Sequence, residues 1–167
     1  DCPQRERFGW LGDAQLSAET TIHNFDMGGA YTSFVRLIND SQNETDGNVQ
    51  DCVPWYGHGH GQADPAWGSA YTFIADWVGS YYDDDEIFRA HYAGIKGHLE
   101  ALRTQAKADN TDGLLTFSWW GDWCPPSGCK MDKGHHNSAI VSSFMYIKQI
   151  RIMAKMAKIL GHDDDAA

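Results

Sequence analysis

Three carboxylates, two guanidinium groups and an indole fall within the first thirteen residues: Asp1, Arg5, Glu6, Arg7, Trp10 and Asp13, in the run DCPQRERFGWLGDAQ. That density of carboxyl groups suits the acid-assisted hydrolysis of a glycoside. Such a reaction needs one carboxyl that stays protonated near neutral pH and delivers its proton to the leaving oxygen. Neighbouring carboxylates favour the protonated form and neighbouring guanidiniums the ionised one. Both kinds of neighbour are present, so the residues leave the balance open. Trp10 offers a flat apolar face for a sugar ring, and Asp13 can accept hydrogen bonds from hydroxyls. The plainer reading is a salt-bridged surface loop, and composition by itself favours it.

These groups need elements to hold them. Pro3, Gly9 and Gly12 prevent regular structure, so the segment reads as a shaped loop leading into a helix. Apolar spacing predicts that helix over 13–25, with Ala14, Ala18, Ile22 and Phe25 on one face. A second helix over roughly 27–41 carries Met27, Tyr31, Phe34, Val35 and Ile38, and the Asn/Asp/Gly cluster at 43–48 ends it. A long Gly- and His-rich loop runs to Pro65. The third helix, about 66–82, is apolar on most sides (Trp67, Tyr71, Ile74, Trp77), the mark of an inner helix. The fourth, about 85–107, opens with Asp84 or Asp85 as N-cap and Glu86 in its first turn. Its stripe of Ile87, His91, Ile95, Leu99 and Leu102 marks an outer helix. After a second long loop to about Gly134, a helix over 137–160 shows a basic stripe at Lys148, Arg151, Lys155 and Lys158. Gly161 can cap it. The expected class is all-α: about five helices in inner and outer layers, part of an α/α toroid, with a plain helical bundle as the competing architecture.

The opening run is very similar to the signature of family 78 α-L-rhamnosidases: an aspartate, Pro-Gln-Arg, acidic residues, then Gly-Trp-x-Gly-Asp-Ala-Gln. Further matches follow in order, at Asp64-Pro-Ala-Trp67-Gly68-Ser69-Ala70 and at Trp120-Gly121-Asp122-Trp123, with the stretch from Tyr81 to Leu102 resembling the helix between them. The resemblance implies part of an (α/α)6 barrel, a six-hairpin glycosidase. It implies inverting hydrolysis of terminal non-reducing α-L-rhamnose from a glycoside or polysaccharide, with no metal or organic cofactor. Glu6 then matches the general acid, and Asp1, Arg5 and Asp13 match residues binding rhamnose hydroxyls. Trp10, Trp67 and Trp123 match aromatic positions lining the sugar subsite, where they could meet the C6 methyl. Arg5 and Arg7 are apt bidentate donors, and one of them could instead hold Asp1 or Asp13.

Two departures matter. Ser69 stands where the family usually has aspartate, which puts a contact at the helix start in doubt. The family's general base is a glutamate on a later hairpin, and none of Glu19, Glu44, Glu86 or Glu100 matches it. The expectation is that residues 1–167 form the N-terminal part of the catalytic domain, cut at Asp1 and ending before the base, and that the chain alone is inactive. Competing readings are a non-catalytic sugar-binding fragment or pseudoenzyme, a partial sequence, and a six-hairpin glycosidase of different sugar specificity.

Composition narrows the partners. With 13 basic against 23 acidic residues, the chain carries a formal charge of −10 and would repel nucleic acid and anionic membranes. An uncharged sugar suits it better. No apolar run is long enough to span a bilayer. Cys124 and Cys129 could close a small disulfide loop, and the sequons at Asn39 and Asn43 add a slight lean towards secretion. His58, His60, His135 and His136 are weak metal candidates, more simply read as loop and cap residues. Trp55 and Tyr56 could widen a cleft, whereas Trp119 and Trp120 suit core or cleft wall. The acidic runs at 83–86 and 163–165 read as a solvated helix start and a frayed tail.

Overall fold

A computed structural model describes residues 4–57, 59, 64–108, 113–123 and 138–166. Among them every regular element is a helix: α1 (Leu11–Asn24), α2 (Gly28–Asp40), α3 (Pro65–Gly68), α4 (Ala70–Tyr82), α5 (Asp85–Ala108), α6 (Ser138–Leu160) and α7 (Asp163–Ala166). The extended pairing there is one isolated bridge, Trp10 to Cys52. The all-α expectation holds. Among the described residues no helix is long and apolar enough to cross a membrane.

α4 is the centre of the packing. Ala70, Tyr71, Thr72, Phe73, Ile74 and Ala75 are buried in succession, and the helix touches α1, α2, α5 and α6. A helix apolar on most sides leaves no face for water along this stretch, and α4 reaches solvent only towards its C-terminal end. α5 instead buries one stripe, including Ile87, Phe88, Ile95 and Leu102, and turns Arg89, Lys96, Glu100 and Arg103 outwards. Of the two candidate caps, Asp84 serves: its Oδ1 accepts from Glu86 N at 3.0 Å. α6 exposes the expected basic stripe, and Gly161 ends it at φ 75°, in the left-handed region that glycine tolerates.

Three expectations need correction. The helix foreseen over 66–82 is two, broken at Ser69. Ser69 Oγ donates to Ala66 O at 2.6 Å and so diverts a carbonyl the helical ladder would use. Trp67 therefore sits on the single turn α3. Phe25 lies beyond the end of α1 and is 67% exposed, since the C-cap turns it off the buried face. The acidic tail is not frayed: Asp165 accepts from Lys96 Nζ at 2.6 Å and from Tyr92 Oη at 2.8 Å, and His162 packs on the Tyr92 ring at 4.4 Å. Burial and the Asp165 carboxylate push the Tyr92 phenol up to about 12. The Lys96 and Tyr92 donors hold the Asp165 carboxyl below its usual value.

Two glycines give a packing test with opposite signs. A Cβ on Gly79 would lie 2.1 Å from Phe88 Cζ, whereas one on Gly29 meets nothing within 4 Å. Gly79→Ala should destabilise the chain by about 1–3 kcal/mol through overpacking of the α4–α5 contact. Gly29→Ala, on the exposed side of α2, should stabilise it by up to about 1 kcal/mol. Urea unfolding midpoints at unchanged slope measure both.

Candidate active site

The acid-rich loop is stitched edgewise to a second loop. Gly9 O accepts from Val53 N, and Leu11 N donates to Asp51 O, both at 2.9 Å, with Trp10 between them at the N-cap of α1. This clasp and the turn at residues 4–6 set Glu6 on the rim of a cleft. Glu6 Oε2 accepts the indole Nε1–H of Trp10 at 3.1 Å, and Oε1 accepts from Arg5 Nη2 at 2.9 Å. Arg7 follows at φ 62°, a left-handed conformation that costs a non-glycine residue about 1–3 kcal/mol. The backbone is thus bent tightly beside Glu6.

Two carboxylates with no solvent exposure, Asp51 and Asp64, organise the far wall. Asp64 caps α3, its Oδ1 accepting from Ala66 N at 2.8 Å. Its Oδ2 accepts from Ser118 Oγ at 2.5 Å, Trp119 N at 2.7 Å and Trp120 N at 3.0 Å. Asp51 Oδ1 accepts from Asp64 N at 2.8 Å, and its Oδ2 accepts from Trp120 Nε1 at 3.1 Å. The two side chains join the loop before α3 to the loop at 118–120, distant in sequence. Ser69, the departure noted from the sequence, also has work to do here. Its one hydroxyl hydrogen is shared between Ala66 O and Gln15 Oε1, the latter 2.8 Å from Oγ, while Gln15 Nε2 donates to Ala66 O at 2.5 Å, fixing α3 to α1.

Trp120 becomes the hub of an indole cluster. Its ring lies 5.6 Å from Trp10 and 5.4 Å from Trp123, both edge to face, and 6.1 Å from Trp67. Edge-to-face pairs at such distances are the favoured aromatic arrangement. Trp67 lies across Gly12, where a Cβ would come within 2.5 Å of its ring. The resulting cleft, of about 690 Å³, is lined by Arg5, Glu6, Trp10, Asp13, Trp67, Trp120, Asp122 and Trp123, and further along by Leu16, Val141 and Met145. A cleft of this volume suits a small ligand. It combines flat apolar faces with a few carboxylates and a guanidinium, the mixture that grips a polyhydroxylated ring.

Of the residues singled out from the sequence, Arg5, Glu6, Trp10, Asp13, Trp67 and Trp123 all line this cleft. Asp1 lies outside the described residues, as do His58, His60, His135, His136, Cys124 and Cys129. Trp55 and Tyr56 are 49% and 71% exposed and are not on the lining. Trp119 packs edge-on against Phe117 at 5.1 Å, away from the cleft, whereas Trp120 forms its wall. Among the described residues no cluster of three or more His, Cys, Asp or Glu could hold a metal ion. Cys52, behind the acid loop, is unsuited to nucleophilic work: burial first, then the charges of Asp51, Asp13 and Glu6, push its thiol up to about 12. Sequence reasoning passed over Asp51 and quoted Asp64 and Asp122 only within motifs, giving neither a role. Asp64 followed by Pro65 did carry a local sign, a capping side chain before proline at the first helical position.

Comparison with known proteins matches the fold that carries this cleft. The family described as bacterial alpha-L-rhamnosidase 6 hairpin glycosidase domain matches residues 1–167. An alpha-L-rhamnosidase of Alteromonas sp. (strain LOR) is 28% identical over 177 residues, covering 99% of this chain and 18% of that protein. The solved alpha-L-rhamnosidase of Dictyoglumus thermophilum superposes with a TM-score of 0.87 at 38% identity, covering 99% of this chain and 18% of its own. A Streptomyces avermitilis alpha-L-rhamnosidase, solved in complex with L-rhamnose, shares the fold at a TM-score of 0.75 and 23% identity, over 93% of this chain and 14% of that one. The chain thus spans about a fifth of the length of the relatives it matches.

The wall can be tested through its buried anion. Asparagine at position 64 has one acceptor oxygen where the carboxylate serves four donors. Asp64→Asn should therefore cost about 1–3 kcal/mol, as expected for buried donors left unmatched. It should also change the near-ultraviolet circular dichroism of the indole cluster. Unfolding in urea and that spectrum, compared with wild type, measure the two effects.

Proposed function

Because the chain belongs to the bacterial alpha-L-rhamnosidase six-hairpin glycosidase domain family, we propose that it supplies the acid half of an inverting α-L-rhamnosidase site. In this reading the substrate is a terminal, non-reducing α-L-rhamnose on a glycoside or polysaccharide. The sugar lies against Trp10, Trp67 and Trp123, with its C6 methyl on indole surface. Asp13 and Arg5 take ring hydroxyls, as Asp1 would from the loop start. Glu6 protonates the departing glycosidic oxygen, and a water enters from the opposite face. The observation that carries this is the Glu6 carboxylate, held by the Trp10 indole N–H at the rim of an indole-lined cleft.

The reading places the general base outside residues 1–167. Inversion needs a second carboxyl about 6.5–9.5 Å from the acid, leaving room for the water. The remaining glutamates are engaged elsewhere or solvated: Glu19 accepts from Tyr81, Glu86 and Glu100 pair with Arg89 and Arg103, and Glu44 is exposed. Exposed apolar side chains support the same view. Leu16 on α1 is 81% exposed, and Ile140 and Phe144 on α6 are 69% and 63%. Such faces are what further helices of a toroid would cover.

The test compares this chain with a version extended to a complete catalytic domain, on aryl and alkyl α-L-rhamnosides. The 167-residue chain should release no product and the complete domain should. Glu6→Gln in the complete domain should lower kcat by on the order of 10²–10⁴ on an alkyl rhamnoside. The loss should be much smaller on a nitrophenyl rhamnoside, whose leaving group needs little protonation. Proton NMR should show the inverted anomer forming first. Turnover by the isolated chain, or equal loss on both leaving groups, would overturn the assignment.

A further inference from the structure

α3 reaches the cleft as a single turn, so whatever lies behind it determines where Trp67 stands. On that side is His98 of α5, whose side chain is 1% exposed and whose two ring nitrogens have no hydrogen-bond partner. The ring fills the space against Gly68: a Cβ there would lie 2.9 Å from His98 Cε1 and 3.1 Å from Val49 Cγ2. Gln149 of α6 is the polar group beside it and acts on the ring, though its amide oxygen and one amide hydrogen are engaged elsewhere. Gln149 Oε1 accepts from Thr72 Oγ1 at 3.1 Å, and Nε2 points to Pro65 O at 3.5 Å, the first carbonyl of α3.

We propose that His98 is a positioning residue for the cleft, a neutral strut behind α3 whose protonation releases Trp67 from the indole wall. A buried imidazolium would have no anion to meet. From α3 it faces Gly68, which Val49 of the preceding loop also flanks, and from α6 Gln149, none of them charged. Glu100 and Arg103, on the exposed side of α5, pair with each other. On the same helix His91 belongs to a separate group with Tyr71, Asp40 and Arg36. It lies two turns away, about 10 Å along the axis.

The sign follows from burial, which pushes the His98 imidazole from 6.5 down to about 4, opposed only in part by Gln149. The folded site thus prefers the neutral ring. Its contribution is complete above pH 6.5 and is lost as pH falls from there towards 4. Since Trp67 holds the sugar only if the cleft binds rhamnosides, the functional side of the inference rests on the proposed function, while its structural side does not.

The experiment is an acid titration of the full chain, following the near-ultraviolet dichroism of the indoles, the far-ultraviolet helix signal and the His98 ring by NMR. We expect the indole signal to fall between pH 6.5 and 4 together with protonation of His98, before the helix signal changes. His98→Leu should move the indole midpoint down by at least one pH unit, and His91→Leu should leave it in place. An indole signal that persists below pH 4, or a midpoint shared by wild type and His98→Leu, would overturn the proposal. If His98→Leu does not fold at neutral pH, the wild-type NMR decides: a ring titrating near 6.5, or apart from the indole signal, overturns it, and coincident titration supports it. In the complete domain the acid limb of kcat/KM should shift down in His98→Leu. Absence of any rhamnosidase activity, with the indole transition intact, would instead overturn the proposed function and leave the strut standing.

Discussion

A carboxylate sealed from water must be answered by donors from the protein, because an unanswered buried charge costs several kcal/mol. Asp64 has no exposure and four donors: Ala66 N, Ser118 Oγ, Trp119 N and Trp120 N. One belongs to the start of α3 and three belong to a loop more than fifty residues on. The same anion that begins the turn carrying Trp67 therefore dictates the path of the loop carrying Trp120 and Trp123. Asp51 repeats the device one layer out, accepting from Asp64 N and from the Trp120 indole. Once these bonds are made the Trp120 ring has little freedom, and the faces it shows to Trp10, Trp67 and Trp123 follow.

This is also why a cleft built on loops can be stiff. A helix of one turn has no stability of its own, since nucleation is unfavourable. α3 persists because side chains from outside answer its backbone groups: Asp64 at its start, and Gln15 and Ser69 at Ala66 O, with Gln149 approaching Pro65 O. These residues lie on α1, at the junction with α4, and on α6, so α3 takes its place from the helical layers around it. A ligand that meets a pre-set wall does not have to order it on binding.

The sequence made the helical layers legible where burial is decided locally. The all-round apolarity of 70–78 and the single stripe of α5 distinguish a central helix from a covering one without knowledge of partners. The acid loop was legible through its own crowded chemistry, and Trp67 and Trp123 through resemblance to a family signature. The break at Ser69 was not, because serine is tolerated within helices and here the break depends on bonds involving α1. Asp51 and Asp64 were hidden for a related reason: apart from the capping bond of Asp64 to Ala66 N, their partners named above lie between 13 and 69 residues away, and no spacing rule links them. The run 163–165 shows the same limit. A cluster of like charges is ordinarily solvated, yet Lys96 and Tyr92 wait for Asp165 across α5.

On the proposed reading, the hydrogen bonds of Glu6 constrain how the acid is loaded. Both carboxyl oxygens face donors, the Trp10 indole at Oε2 and the Arg5 guanidinium at Oε1, and neither donor can accept a proton. A proton to be delivered to the substrate takes one of the carboxyl lone pairs that these two bonds leave open. Trp10 is anchored at the N-cap of α1, edge-on to Trp120, whereas the Arg5 side chain is 73% exposed. Arg5 is the partner that can leave, and the hydroxyls of an incoming sugar offer it acceptors. On that reading, binding draws the guanidinium towards the sugar while the indole N–H keeps its hold on Oε2. On the same reading Arg5 is the partner that turns to the substrate, and Trp10 the one that fixes the direction in which the acid points.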